Sequence, residues 1–286
     1  MDFLAPTTWA DALAAKAQRP EAVPLAGGTD LMVELNFDRR RPEVLIDLGR
    51  VGELTEWGIA DGLLRIGAGV PYTRLITELG DQLPGLAIAS RTIGSPQIRN
   101  RGTMGGNLGT ASPAGDVHPP LLAAGAEVEV ESAGRGPRRI PIEAFFAGPK
   151  RNTLAADELI AAVLVPPAPG PQQFAKVGTR NAMVIAVCAF SVALDPRQRR
   201  VGTGIGSAGP TPLMADDAAR LAERSLDWAA RGPADPELLE EFGRLVGAAA
   251  QPIDDVRGTA AYRRHALGVL ARRTLLWAWE EHRQCA

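Results

Sequence analysis

The chain has 286 residues, 45% of them hydrophobic and 22% charged, with 31 Lys and Arg against 33 Asp and Glu for a formal charge of −2. That balance excludes a broad electrostatic footprint for nucleic acid or an anionic membrane, and the length suggests roughly two domains of about 150 residues. With two cysteines, Cys188 and Cys285, and three histidines, His118, His265 and His282, in no metal-ligand spacing, a cluster held by four cysteines of this chain is excluded.

Thr8 followed by Asp11 reads as a capping box for a helix running to about Gln18, with Leu13 and Ala17 on one face. The apolar runs VPLAGG (23–28) and EVLIDL (43–48) read as strands around a polar loop and a helical turn. LLRIGAGV (63–70) is a further strand, and Pro71 opens a helix that stops at Gly80. The segment from Ser95 to Asp116 holds five glycines and few large apolar residues, so it reads as a long functional loop. PPLLAAGA should then be helical, and EVEVES (127–132) alternates as a strand with one wet face.

Four prolines in VPPAPGPQQ (165–173) put a domain boundary near residue 168. Beyond it, MVIAVCAFSVAL (183–194) and RRVGTGIGSAG (199–209) are expected to pair as antiparallel strands around the DPRQ turn. Helices should follow over 215–231, 237–250 and 259–283. The N-terminus lacks a basic start followed by an apolar segment, and nowhere do about 18 apolar residues run together. A soluble, cytoplasmic protein without a transmembrane segment is the expectation.

Two glycine loops carry the chemistry. LAGGTDL (25–31) follows a strand and RGTMGGNLGTASPAGD (101–116) precedes a helix. Consecutive glycines let successive backbone N–H groups converge on an anion with no Cβ in the way, which points to phosphate. Gly27, Gly28, Thr29, Gly105, Gly106 and Asn107 are the donors this reading names, while tight turns at strand ends are the plainer alternative. Gly204, Gly206 and Gly209 fit G-x-G-x-x-G, but Pro210 and Pro212 follow where a helix should open, so they read as a strand-edge turn. Asp116 is either a helix N-cap or an acceptor for nucleotide groups. Lys176 is either solvated or set beside a flavin or phosphate, and His118 reads as structural or surface.

Together these residues resemble the medium, FAD-binding subunit of the molybdenum hydroxylases, the group of bacterial xanthine, carbon monoxide and nicotine or caffeine dehydrogenases. Five ordered blocks carry the resemblance: LAGGTDL, QIRNRGTMGGNLGTASPAGD, GPKRNTLAADELI, FAKVGTRNAMVIAV and RGTAAYRRHALGVLARR. It implies an α+β chain with an FAD-binding fold of the vanillyl-alcohol-oxidase (PCMH) type over 1–168, in subdomains of about 1–55 and 56–168. A flavoprotein C-terminal domain over 169–286 would carry a three-stranded antiparallel sheet and a helical bundle.

The resemblance further implies that Leu25, Ala26, Gly27, Gly28, Thr29, Asp30 and Leu31 hold the pyrophosphate with Thr103, Gly105, Gly106 and Asn107. Thr110 and Asp116 would reach the ribose and adenine side, Ile160 would line the flavin, and Lys176 would lie near its ring. Ile93 falls where some relatives carry an aromatic residue, and Val184 where many carry Asp. The implied assembly, a dimer of heterotrimers, places [2Fe-2S] clusters on a small partner subunit and molybdopterin on a large one, with electrons leaving FAD for an external acceptor. No catalytic side chain and no metal ligand is expected on this chain. A stand-alone flavin reductase and a subunit that has lost FAD are the rival readings.

Overall fold

The computed structural model describes residues 1–284; Cys285 lies outside them. The first unit begins with β1 (Asp2–Leu4) and α1 (Trp9–Gln18). Thr8 caps α1 as the sequence suggests, its hydroxyl accepting from Asp11 N at 3.1 Å and donating to the Asp11 carboxylate at 2.7 Å. The buried face differs from the expected one: Ala17 faces solvent, and Lys16 is buried beside Leu13. The Lys16 ammonium donates to Pro20 O and Ala22 O at 2.8 and 2.6 Å, so its stem covers apolar surface while its charge is hydrogen-bonded. β2 (Val23–Leu25), α2 (Leu31–Asn36) and β3 (Val44–Asp47) complete a parallel three-stranded sheet in the order β1-β3-β2.

The second unit contains β4 (Trp57–Ala60), β5 (Leu63–Gly67), α3 (Tyr72–Glu78) and α4 (Pro84–Arg91). The glycine-rich segment is not one open loop. It holds α5 (Pro96–Arg99) and α6 (Met104–Thr110), capped by Ser95 and Thr103, whose hydroxyls accept from Ile98 N and Gly106 N. The missing core is supplied from outside, because Met104 and Leu108 of α6 are fully buried against the neighbouring sheet. α7 (His118–Ala124), β6 (Glu127–Ser132), β7 (Gly136–Pro141), α8 (Ile142–Phe145), β8 (Phe146–Gly148), β9 (Arg151–Asn152) and β10 (Leu159–Val165) follow.

The large antiparallel sheet runs β4-β5-β10-β6-β7. Every residue of β10 is buried, and this apolar run, LIAAVLV, forms its centre. Val44 and Ile46 of the first sheet share one core with Leu64, Ile66, Val128 and Val163 of the second.

The third unit has its own core. β11 (Gln172–Val177), β12 (Cys188–Asp195) and β13 (Arg200–Gly206) form an antiparallel sheet, β12 and β13 closing on the pair Asp195 and Arg200. β12 starts five residues later than the apolar run from Met183: Met183 itself has φ +48° and is exposed, so the ladder cannot begin there. α9 (Asp216–Ser225), α10 (Pro236–Ala249) and α11 (Ala260–Gln284) cover this sheet with Phe242 and Trp279 fully buried.

α7 of the second unit lies directly on β13. A Cβ at Gly202 would fall 1.9 Å from Ala123 O, and one at Gly204 would fall 2.0 Å from Pro119 O. The G-x-G spacing thus serves backbone-to-backbone packing between the two cores. No helix opens after Gly206, consistent with rejecting a dinucleotide fingerprint there.

Candidate functional site

The first glycine loop turns off the end of β2 and enters α2. Gly28 takes φ +74°, a conformation that favours glycine. None of the N–H groups of Gly27, Gly28, Thr29 or Asp30 donates to a protein acceptor, although Gly28 O and Asp30 O accept from the first turn of α2. Among the described residues these four donors are therefore free to meet a bound anion.

The second loop touches the first. A Cβ on Gly27 would fall 1.8 Å from Arg101 O, so only glycine permits that approach. Gly105 is equally constrained: its Cβ would meet that of Ala68 at 2.5 Å. The donor role expected for this second loop needs correction. Gly105 N donates to Ala68 O at 3.2 Å, Gly106 N to Thr103 Oγ1 at 3.0 Å and Asn107 N to Thr103 O at 3.1 Å, so these amides are already spent on folding α6. The loop instead supplies a close wall and the Thr103 hydroxyl.

Between the loops lies a cavity of about 810 Å³, within the usual range of small-molecule sites. From the first loop Ala26, Gly27, Asp30 and Leu31 line it; from the second, Thr103, Gly105, Gly106 and Thr110 do so, with Ile160 of β10. Leu25, Gly28 and Thr29 flank this lining without forming part of it, and Asn107 is turned away: its Oδ1 is buried beside Gly115 and has no partner. Sequence reasoning missed Arg101, Lys150, Arg151 and Asn152 as lining residues. The last three sit on the β8–β9 hairpin, within the block GPKRN that the resemblance quoted without giving it a role. The open amides, the guanidinium groups of Arg101 and Arg151 and the cavity size suit an anionic ligand such as a dinucleotide.

Three further expected residues, Asp116, Lys176 and Ile93, also lie outside the cavity lining. Lys176 on β11 donates to the Asp116 carboxylate at 2.6 Å, to Thr92 O at 3.0 Å and to Val184 O at 3.2 Å. Both side chains of the pair are 9% exposed. Asp116 is therefore not the cap of α7, a position held by Val117, and Lys176 is not solvated. Burial raises the Asp116 carboxyl above its ordinary value, opposed by the charge and hydrogen bond of Lys176 and by Thr92. Ile93, beside Thr92, packs partly buried on the first core. Val184 contributes its backbone carbonyl to the ammonium.

Neighbouring groups are silenced by burial. Tyr72 is fully enclosed, and its hydroxyl is driven upward by desolvation and by the charge of Asp116. His118 is an interior residue, never at the surface: its ring lies 4.7 Å from that of Phe146, and burial pushes it down to about 4, so it is neutral at physiological pH. The Cys188 thiol is pushed up to about 12 by burial and is inert. Among the described residues no group of three or more His, Cys, Asp or Glu could hold a metal, and no helix is long and apolar enough to cross a membrane.

A cavity walled by two mutually contacting glycine loops, with open amides at its edge, has the size and donors of a small-molecule site for an anionic ligand. Residues 1–168 match the family described as the FAD binding domain in molybdopterin dehydrogenase, and residues 173–278 match the CO dehydrogenase flavoprotein C-terminal domain. The xanthine dehydrogenase FAD-binding subunit of Escherichia coli O157:H7 is 32% identical and aligns over 94% of this chain and 92% of its own length. The nicotine 6-hydroxylase medium subunit of Paenarthrobacter nicotinovorans is 34% identical, covering 89% and 88%. The solved structure of reconstituted CO dehydrogenase from Oligotropha carboxidovorans superposes with a TM-score of 0.88 at 28% identity, over 98% of each chain. The chain belongs to the FAD-binding medium subunits of the xanthine and CO dehydrogenase type, the oxidoreductase components of molybdenum hydroxylases.

Proposed function

We propose that this chain is the flavin-carrying relay of a cytoplasmic assembly, a dimer of heterotrimers with an iron–sulfur small subunit and a molybdopterin large subunit. It would receive electrons from [2Fe-2S] clusters on the small subunit and deliver them to an external acceptor. The observation that carries this reading is the row of unpaired amides from Gly27 to Asp30 at a cavity closed on its other side by Thr103 and Gly106. When bound, FAD supplies the redox chemistry; the chain supplies position and electrostatics.

Within that role the first loop, Leu25 to Leu31, holds the pyrophosphate through its amides, and the Thr103 hydroxyl adds a donor. Gly105, Gly106 and Asn107 keep the second loop close enough to exclude water from the diphosphate. Thr110 serves the ribose side and Ile160 gives an apolar wall, while Asp116, Lys176 and Ile93, expected at the ribose and the ring, stand behind the lining and brace it. The buried ion pair fixes Lys176 against Asp116 and so holds β11 to the end of the second loop. No side chain is asked to act as acid or base, in keeping with a site that moves electrons rather than groups.

The test is acid denaturation of the purified protein followed by chromatography of the released flavin. FAD in solution at one equivalent per chain is the expected result; FMN, or colour retained in the pellet, would contradict it. The isolated chain should be reduced by dithionite but by none of xanthine, nicotine or carbon monoxide. Native co-purification should bring molybdenum and iron with it. Turnover of a substrate by the chain alone would favour a stand-alone reductase.

A further inference from the structure

The cavity lies between the unit containing α2 and the unit containing the β8–β9 hairpin, and one ion pair joins the two across it. Lys150 Nζ lies 2.7 Å from Glu34 Oε1, and both residues line the cavity. Their side chains are 58% and 24% exposed, so the pair stands at the solvent-facing rim and not in the interior.

The hairpin that presents Lys150 is firmly seated. Lys150 itself takes φ +55°, its N–H donates to Ala111 O at 3.0 Å, and Asn152 Nδ2 donates to Gly109 O at 3.1 Å. With its amide fixed to the end of α6, the backbone that presents Lys150 is held at the rim opposite Glu34. On the opposite bank Glu34 is also approached by Arg40, at 3.8 Å, itself a lining residue. The carboxylate is thus held from both sides on α2, while Lys150 is the only one of these three residues that comes from the second unit. Severing the pair opens the rim between the two banks without touching either glycine loop or the core the banks share.

We propose that Glu34 and Lys150 form a latch over the cofactor cavity that slows exchange of the bound dinucleotide. The inference rests on the reading of this cavity as the FAD site. A latch acts on the barrier to passage and not on contacts with the ligand, so breaking it speeds entry and exit together. A cation that gripped a phosphate would behave differently: removing it would speed exit only, and removing its carboxylate partner would free it to grip harder.

Glu34→Gln and Lys150→Gln separate the two cases, because they break the same pair from opposite charges. FAD release from the full-length chain is followed by the rise of flavin fluorescence on dilution into a trap, and rebinding by its quenching in stopped flow. Each variant is expected to release FAD about twofold to fivefold faster, the range for an exposed ion pair, and to rebind faster by a similar factor. Release from the unaltered chain should quicken at high salt, while the variants respond less. Unchanged rates in both variants overturn the latch. So do opposite effects, with slower release in Glu34→Gln and faster release in Lys150→Gln, which would make Lys150 a phosphate ligand. An unaltered chain that binds no FAD overturns the cofactor reading, and this inference falls with it.

Discussion

Replacing Lys176 by Met removes the one cation facing a carboxylate that is 8% exposed and has no other charge partner. The Asp116 Oδ1 atom already lacks a hydrogen bond, and only the 3.5 Å contact with Thr92 would remain on Oδ2. Leaving such a group unpaired costs about 3–5 kcal/mol. For a chain of this size that corresponds to a loss of roughly 6–10 °C in Tm.

The deficit has a defined pH dependence. Burial raises the folded-state value of Asp116 above its unfolded one, and Lys176 is what opposes that rise. A raised carboxyl contributes stability below its unfolded value, near about 3.9, and loses it as pH climbs through the folded value. The deficit of Lys176→Met should therefore be largest at pH 8 and shrink toward pH 4, where Asp116 takes up a proton. The double variant Asp116→Asn with Lys176→Met should recover most of the loss, since no charge is left buried. Urea unfolding of the flavin-free chain, followed by circular dichroism at pH 5 and pH 8, is the assay. A deficit below about 1 kcal/mol, or one of equal size at both pH values, would refute the reasoning.

Gly27→Ala should cost at least about tenfold in FAD affinity, because its Cβ would sit 1.8 Å from Arg101 O and force the loops apart; fluorescence titration checks it. Gly204→Ala should destabilise the chain by about 1–3 kcal/mol through overlap with Pro119 O, read from denaturant midpoints. Glu158, nearly buried, is drawn down to about 2 by hydrogen bonding with the Arg138 guanidinium. A lowered carboxyl contributes stability above its unfolded value near about 4.3 and loses it as pH falls through the folded one. Glu158→Gln should therefore be less stable than the unaltered chain at pH 7 and no different near pH 2, as an acid titration of ellipticity would show.

Elements with a strong local signature were legible in the sequence. The Thr8 cap, the alternation of EVEVES and the Asp195 turn each state their geometry within a few residues, and α1, β6 and the β12–β13 pair form there. Less was legible where neighbours decide the outcome. Met104 and Leu108 look sparse in a glycine-rich run, yet a neighbouring sheet gives them a core, so α6 forms where a loop was expected. The site divides in the same way. Glycine spacing announced where the chain comes close to a ligand, but it could not tell open amides from amides already bonded, as the contrast between Gly28 and Gly106 makes plain. The pairing of Asp116 with Lys176 spans 60 residues and two cores, and no local pattern encodes it.

The strip of bare backbone on β13 limits how this protein can be recombined. A chimera joined within the prolines at 166–171 takes α7 from one parent and β13 from the other, and it packs only where the β13 parent also has glycine at the positions of 202 and 204, because any side chain there would hold the helix off the sheet. Lifting α7 would also carry Asp116 away from Lys176, since the two residues stand at the edge of that same contact. Swapping halves should therefore succeed between parents that share the two glycines and fail where the incoming β13 carries a side chain at either place.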